Sequence, residues 1–289
     1  NRMTDSDQRP CLAWATDDSL NTWVKCQGNP LFEPPDDVRS ADFRDHTAWQ
    51  EDGWWYQVVG SSIDRQRGAA QLYRSHDLKH WEYRGRLAEG APETSGWMWE
   101  CPSFFPLEDK HVLITSPIPF GRAVYMTGRY AAERFTADAM GELDTGGCFY
   151  APQTFPADDG RRLMFGWLWE NLPASYAREA GWAGAMSLPR VLTFDHAGAL
   201  CQQPAAEVDL IRGDRWLGEP RTLNPGQAYP LAPQGMQLEL DLTLLPASAS
   251  RVYAAVRRAP DGSEYTLVGY DAARQELFID RSRASLNPD

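Results

Sequence analysis

Apolar and polar positions in the first two thirds of the chain come in short bursts separated by turn residues, and a helical period is almost nowhere visible. Cys11-Leu12-Ala13-Trp14-Ala15 is a strand-like run that ends in the turn-rich Thr16-Asp17-Asp18-Ser19. Trp54-Trp55-Tyr56-Gln57-Val58-Val59-Gly60 is aromatic and β-branched and follows the turn pair Asp52-Gly53, which predicts a strand leaving a hairpin. Residues 111–116 and 123–128 predict the next strands. Residues 148–155 and 162–167 flank Asp158-Asp159-Gly160 and predict a two-strand hairpin; residues 190–194 and 199–202 predict another.

A sequence repeat sharpens this all-β reading. Asp18-Ser19-Leu20-Asn21-Thr22-Trp23 and His76-Asp77-Leu78-Lys79-His80-Trp81 share a polar pair, a leucine, and a tryptophan three residues on. Each copy follows a short strand-like run and precedes another strand. Strand-and-turn units recurring in this way are what propeller blades look like in sequence. His76 and His80 have the spacing of a metal pair on a helix, but the repeat sets them opposite Asp18 and Thr22, so no metal site is expected there.

After Pro204 the texture changes. Residues 205–212 predict one short helix. Met236-Gln237-Leu238-Glu239-Leu240-Asp241-Leu242-Thr243-Leu244 alternates without a fault, the mark of a strand with one buried and one wet face. Residues 252–257, 265–270 and 276–280 follow as strands, separated by Pro260-Asp261-Gly262 and Asp271-Ala272-Ala273. The expected organisation is a propeller over residues 1–203, a linker over 204–214 and a sandwich-like β domain over 215–289 with too few strands to close two sheets. The chain opens almost at once on a strand, which suggests a fragment. No charged-then-apolar leader is seen, and the compartment stays open.

Composition narrows the partners. A formal charge of -12 argues against nucleic acid or an anionic membrane surface, and lysine is scarce. No apolar run approaches the roughly 20 residues a bilayer span needs. The five cysteines (Cys11, Cys26, Cys101, Cys148, Cys201) lie far apart with no Cys-x-x-Cys pair, so they predict free thiols in small buried slots.

The chemistry centres on Trp97-Met98-Trp99-Glu100-Cys101-Pro102. Burial beside indole rings disfavours a charged carboxylate, so Glu100 is a candidate general acid; the plain alternative is a strand-end glutamate bonded to backbone. Upstream, Ala41-Asp42-Phe43-Arg44-Asp45-His46 holds an Arg-Asp pair, and downstream Leu143-Asp144-Thr145-Gly146-Gly147 sets an acid in a glycine-rich turn before Phe149-Tyr150-Ala151-Pro152-Gln153. Asp45 has a salt bridge as its alternative role, and Asp144 a turn cap. Three acids, each opening a different blade, amid tryptophans and tyrosines, suit a sugar site on a propeller axis.

Phe43-Arg44-Asp45, Trp99-Glu100-Cys101-Pro102 and the stretch from Asp144 to Gln153 together resemble the Arg-Asp-Pro, Glu-Cys-Pro and Asp-x-Gly…Phe-Tyr-Ala motifs of glycoside hydrolase family 32, the invertase, levanase and inulinase family. The resemblance implies a five-bladed propeller followed by a β-sandwich, retaining hydrolysis of β-fructofuranosides, and no cofactor or metal. It implies Glu100 as acid/base, Asp45 as stabiliser of the transition state, Arg44 beside it, and Asp144, Cys101, Tyr150 and Trp167 lining the fructose pocket. The family's nucleophilic aspartate sits in a Trp-Met-Asn-Asp-Pro-Asn-Gly-like segment that has no counterpart here, and Asp5 and Asp7 lie in the wrong context to replace it. The expectation is therefore a chain without the first blade, part of the second and the end of the sandwich. His46 in place of proline, Ser103 after Cys-Pro and Cys148 before Phe-Tyr-Ala are smaller departures that bear on specificity. Rival readings are a fructosyltransferase of the same fold, a non-catalytic sugar-binding module and an interaction propeller. Whether sucrose, inulin, levan or a phosphorylated sucrose is preferred, and the oligomeric state, are not legible.

Overall fold

The computed structural model of the chain describes residues 2–4, 7–169, 174–235 and 237–286. The chain divides into two compact units, Asn1–Ile211 and Arg212–Asp289. In the first, β1 (Arg2–Thr4) pairs with β2 (Asp7–Arg9), and β3 (Ala13–Ala15) with β4 (Trp23–Lys25). Three larger antiparallel sheets follow. One holds β5 (Phe43–Glu51), β6 (Trp54–Ile63), β7 (Arg67–Ser75) and β8 (Glu82–Glu89) in chain order. After a short helix α1 (Pro92–Ser95), the next holds β9 (Met98–Leu107), β10 (Lys110–Ile118), β11 (Val124–Ala131) and β12 (Arg134–Glu142). The third contains β13 (Phe149–Pro156), β14 (Arg162–Leu168), β16 (Arg190–Phe194) and β17 (Leu200–Pro204); helix α2 (Ala174–Ala180) leads to the two-residue β15 (Ala185–Met186), which pairs with β14. Each sheet is a meander of neighbours, the build of a propeller blade.

The middle blade is buried on both faces. Strand alternation sends Phe104 and Leu113 toward Val58, Leu72 and Leu87 of the preceding blade. It sends Phe105, Val112 and Ile114 toward Phe149, Met164 and Leu192 of the following one. That is why Val112-Leu113-Ile114 is apolar without alternation. The outermost strands β8 and β12 carry Glu-Tyr-Arg-Gly-Arg and mostly exposed positions, and the hydrophobic pattern alone does not reveal them.

The sequence repeat is one turn built twice. Leu20 and Leu78 both adopt left-handed φ, 58° and 63°, and in each the tryptophan three residues on donates its indole N–H to that leucine's carbonyl, at 2.7 and 3.0 Å. The backbone N–H groups of Asn21 and Thr22 bond the Asp17 carboxylate, and those of Lys79 and His80 bond Asp77. The same donors are thus capped from different sequence positions. His76 stacks on Trp54 and His80 bonds Asp77, and among the described residues no group of His, Cys, Asp and Glu has the arrangement to hold a metal ion.

Trp99 locks the first two blades together. It is fully buried, and its indole N–H donates to the Ser95 carbonyl at 2.7 Å. Three glycines leave room for it. A Cβ on Gly60 would strike the Trp99 carbonyl, one on Gly68 would enter the indole ring, and one on Gly90 would strike Ser95 and lie 2.7 Å from the ring.

Residues 206–211 form a 3-10 turn in the first unit. Among the described residues the second unit holds one antiparallel sheet, of β18 (Arg251–Val256), β19 (Tyr265–Asp271) and β20 (Glu276–Arg283). The strand expected over residues 236–244 does not form among the described residues: Met236 lies outside them, and residues 238–246 are irregular, with Leu238, Leu240, Leu242 and Leu244 exposed. Alternation marks which face a strand would bury, but pairing needs a neighbour for its N–H and C=O groups. Among the described residues no helix is long and apolar enough to cross a membrane.

Gly68→Ala should force the Trp99 ring out of its slot, costing about 1–3 kcal/mol. The thermal midpoint of the first unit should then fall by roughly 2–4 °C per kcal/mol lost. Calorimetry of the two proteins checks this, and an unchanged midpoint would mean the ring is not confined.

Candidate active site

The first strands of the three blades approach one another, and Thr47 of β5 bonds both the Pro102 carbonyl of β9 and Gln153 of β13. All three carry the same irregularity. Arg44 pairs with Gly60 and Thr47 with Val58; Glu100 pairs with Ser116 and Ser103 with Ile114; Tyr150 pairs with Trp167 and Gln153 with Phe165. In each case three steps on the first strand oppose two on its partner, which is a β-bulge. The residue after the first of each pair is left-handed: Asp45 at φ 60°, Cys101 at 49° and Ala151 at 49°. None is glycine, so each bulge stores strain of order 1 kcal/mol.

The residues just before these turns, Arg44, Glu100 and Tyr150, meet. The Arg44 guanidinium donates twice to Glu100 Oε1, from Nε at 2.9 Å and a terminal nitrogen at 2.6 Å. It also donates to the Ala41 carbonyl at 2.8 Å. The Tyr150 hydroxyl donates to Glu100 Oε2 at 2.7 Å. Both oxygens of the carboxylate are held, while its side chain keeps 20% of its surface open. Asp45 follows on the β5 bulge, its Oδ2 accepting from the Cys101 backbone N–H at 3.3 Å, with the Cys101 Sγ at 3.6 Å and Arg44 at 3.9 Å.

Electrostatics follows from this crowding. Burial, then the charge on Glu100, pushes the Asp45 carboxyl above its usual range. Burial and the two carboxylates push the Cys101 thiol up, so it stays protonated beside them. Burial and the bond to Glu100 raise Tyr150 likewise. His46, next on the bulge, is lowered by burial and remains a neutral imidazole.

The surroundings of Glu100 differ from those its neighbours in sequence suggest. Alternation sends Trp99 and Glu100 to opposite sides of β9, so Glu100 meets a guanidinium and a phenol, and the indole of Trp99 fills the blade interface. Tyr150 and Cys101 join the cluster. Trp167 lies across from Tyr150 in the β13–β14 register and is 45% exposed; it lines a cavity of about 420 Å³ with Ala151, Gln153, Phe165 and Met186. Asp144 instead caps the Gly146 N–H and pairs with Arg190 at 2.8 Å, and its described bonds do not reach Glu100 or Asp45. Two members were not singled out in the sequence. Trp169 stacks on Tyr150 with 5.8 Å between centroids, and its place two residues after Trp167 was an available signal. Ser116 bonds the Ala151 N–H through its hydroxyl and accepts from Tyr150 at its carbonyl, and a mid-strand serine gives no such hint.

Two acids, an arginine and a tyrosine thus gather at the inner bulges of propeller strands. The chain belongs to glycosyl hydrolase family 32: the model of that family's N-terminal domain matches residues 1–204, and the model of its C-terminal region matches residues 214–288. The chain is 35% identical to a sucrose-6-phosphate hydrolase of Klebsiella pneumoniae, over 96% of this chain and 63% of that protein. It is 37% identical to a raffinose invertase of Escherichia coli, over 70% of this chain and 46% of that protein. The crystal structure of fructan 1-exohydrolase IIa from Cichorium intybus, in complex with 1-kestose, superposes with a TM-score of 0.80 at 27% identity, over 99% of this chain and 65% of that one. The fold is thus the propeller followed by a β-sandwich, and the chain spans less than two thirds of the length of these relatives.

Asp45→Asn should stabilise the chain at neutral pH. A carboxyl raised on folding binds more protons folded than unfolded, so it lowers stability as pH climbs from the ordinary carboxylate range through the raised value. The variant lacks that loss and keeps an acceptor for the Cys101 N–H. Urea melts should show its advantage at pH near 7 and none below about pH 3, where the carboxyl is protonated in both states; an advantage independent of pH would assign it to packing.

Proposed function

We propose that the protein to which these residues belong hydrolyses β-fructofuranosidic bonds with retention, with Glu100 as acid/base. The observation that carries this reading is the fixing of both Glu100 oxygens, by Arg44 and Tyr150, beside Asp45 in a family 32 chain. Protonated Glu100 gives its proton to the oxygen linking fructose to the aglycone as that bond breaks. A second carboxylate attacks the anomeric C2 from the opposite face and forms a fructosyl ester. Glu100, now ionised, takes a proton from water; the water oxygen attacks C2, fructose leaves and the second carboxylate is restored.

A retaining site needs that second carboxylate about 5–5.5 Å from the acid. We assign it to an aspartate outside these 289 residues, a reading supported by the missing Trp-Met-Asn-Asp-Pro-Asn-Gly-like segment and by the share of the relatives' length covered here. Asp45 is assigned to the fructosyl hydroxyls, where its charge stabilises the oxocarbenium-like transition state. Arg44 orients Glu100, Cys101 walls the pocket, and Trp167 offers an aromatic face at the cavity. Asp144 is assigned the turn into β13 that aims Tyr150. No cofactor takes part in this scheme, and a sucrose- or fructan-type fructoside is the proposed substrate.

In the full-length protein Glu100→Gln should cut fructose release from sucrose, sucrose 6-phosphate and inulin by about 10²–10⁴-fold while sparing sugar binding. Near-normal turnover overturns the assignment. The 289 residues alone should release none, and the same chain extended upstream should; activity of the shorter chain would place the nucleophile within it.

A further inference from the structure

We propose that Tyr150 is a positioning residue whose hydroxyl reverses its hydrogen bond each time Glu100 changes protonation state. The proposal rests on Glu100 being the acid/base. An acid/base must hold a proton in one half of the cycle and accept one in the other, so its neighbours have to suit both forms. Arg44 cannot serve this need. Its guanidinium has donors only and is always charged, so Glu100 Oε1 stays an acceptor throughout. The mobile proton therefore belongs on Oε2, the oxygen 2.7 Å from the Tyr150 hydroxyl.

A proton there would collide with a hydroxyl that donates to the same oxygen unless that hydroxyl can turn. Tyr150 has somewhere to turn: its oxygen also lies 3.2 Å from the Ser116 carbonyl, an acceptor in either state. With Glu100 ionised, Tyr150 donates to Oε2. With Glu100 protonated, Oε2–H donates to Tyr150 and Tyr150 donates to Ser116. The two arrangements differ by one C–O rotation and one proton gained at Oε2, and both leave every donor with an acceptor.

The rest of the site fixes the oxygen while leaving its proton free. The ring stacks on Trp169 at an interplanar angle of 28°, and the Ala151 N–H bonds the Ser116 hydroxyl at 3.1 Å, which pins the bulge of β13 to β10. The charged and titratable groups facing Glu100 and Tyr150 are Arg44 and Asp45 from β5 and Cys101 from β9; β10 contributes the neutral Ser116. Burial and the bond to Glu100 keep the phenol from ionising near neutral pH, so a change at Tyr150 in the acid range reports on a neighbour.

The test labels the tyrosine Cζ carbons of the chain with ¹³C and assigns the Tyr150 signal by its loss in Tyr150→Phe. A titration from roughly pH 3 to pH 8 covers the carboxyl and histidine ranges. The expected result is an inflection of the Tyr150 signal that disappears in Glu100→Gln and persists in Asp45→Asn. A flat Tyr150 signal in the folded wild-type chain overturns the proposal, as does an inflection lost only in Asp45→Asn. Where Glu100→Gln does not fold, a glutamate ¹³Cδ signal titrating at the same midpoint as Tyr150 replaces it, and absence of such a match counts against the proposal. In the active full-length protein, Tyr150→Phe should move the alkaline limb of the kcat/KM profile, where Glu100 loses its proton, to higher pH; a uniform drop with the limb unmoved is what a merely structural tyrosine gives. If the full-length protein releases no fructose, the acid/base role falls, and the titration still decides whether the hydroxyl turns.

Discussion

The first unit depends on how closely β9 approaches β6. At Gly60 a methyl group would strike the Trp99 carbonyl and crowd Pro102 and the Arg44 carbonyl, so three strands meet at a point where only hydrogen fits. The Trp99 ring is sunk into the same seam, between Gly68 and Gly90. This contact is packing in the strict sense, with a large apolar body in a slot of its own shape. It also sets the site, because Arg44 lies opposite Gly60 in the β5–β6 register and Glu100 follows Trp99 on β9. The arginine and the carboxylate are brought within bonding distance by the seam behind them.

The order of causes runs outward from there. The bulges in β5, β9 and β13 turn one side chain per blade toward the common centre, at the cost of left-handed backbone at Asp45, Cys101 and Ala151. Polar bonds between the bulges keep them in step. Thr47 reaches Pro102 and Gln153, and Ser103 bonds Thr154, which also accepts from a half-buried Arg162. Arg162 lies over the Phe105 ring, and burial draws its guanidinium down to about 10. A rigid, bonded floor under a partly open carboxylate is the arrangement in which charged groups act at full strength.

Much of this was legible in the residues. The apolar runs gave the inner strands of the first two large sheets because those strands are buried on two faces, and the tryptophan repeat marked a turn whose indole-to-leucine hydrogen bond is the same in both copies. Arg44, Asp45, Glu100, Cys101 and Tyr150 stood out by type and neighbour, and they do come together. What was not legible is of two kinds. Outer strands such as Arg134–Glu142 have little apolar surface to bury, so no periodicity announces them. Orientation within a strand is the other kind. Sequence adjacency suggested an indole environment for Glu100, whereas alternation gives that environment to the opposite face. Asp144 shows a related limit, since its cap on the Gly146 N–H can be read from a glycine-rich turn but its pairing with Arg190 cannot. The leucine alternation of residues 238–244 shows that a perfect pattern still needs a partner strand.

The recurrence of one bulge in three blades has a mechanical side. Arg44, Glu100 and Tyr150 occupy the same station on three pseudo-equivalent arms, so they sit like the jaws of a chuck around a shared axis. Two of the jaws are bonded to the third, Arg44 to one oxygen of Glu100 and Tyr150 to the other, so the place of each arm bears on the same carboxylate. Chemical identity can vary from arm to arm, acid here and phenol there, while the same bulge sets the station that each side chain occupies.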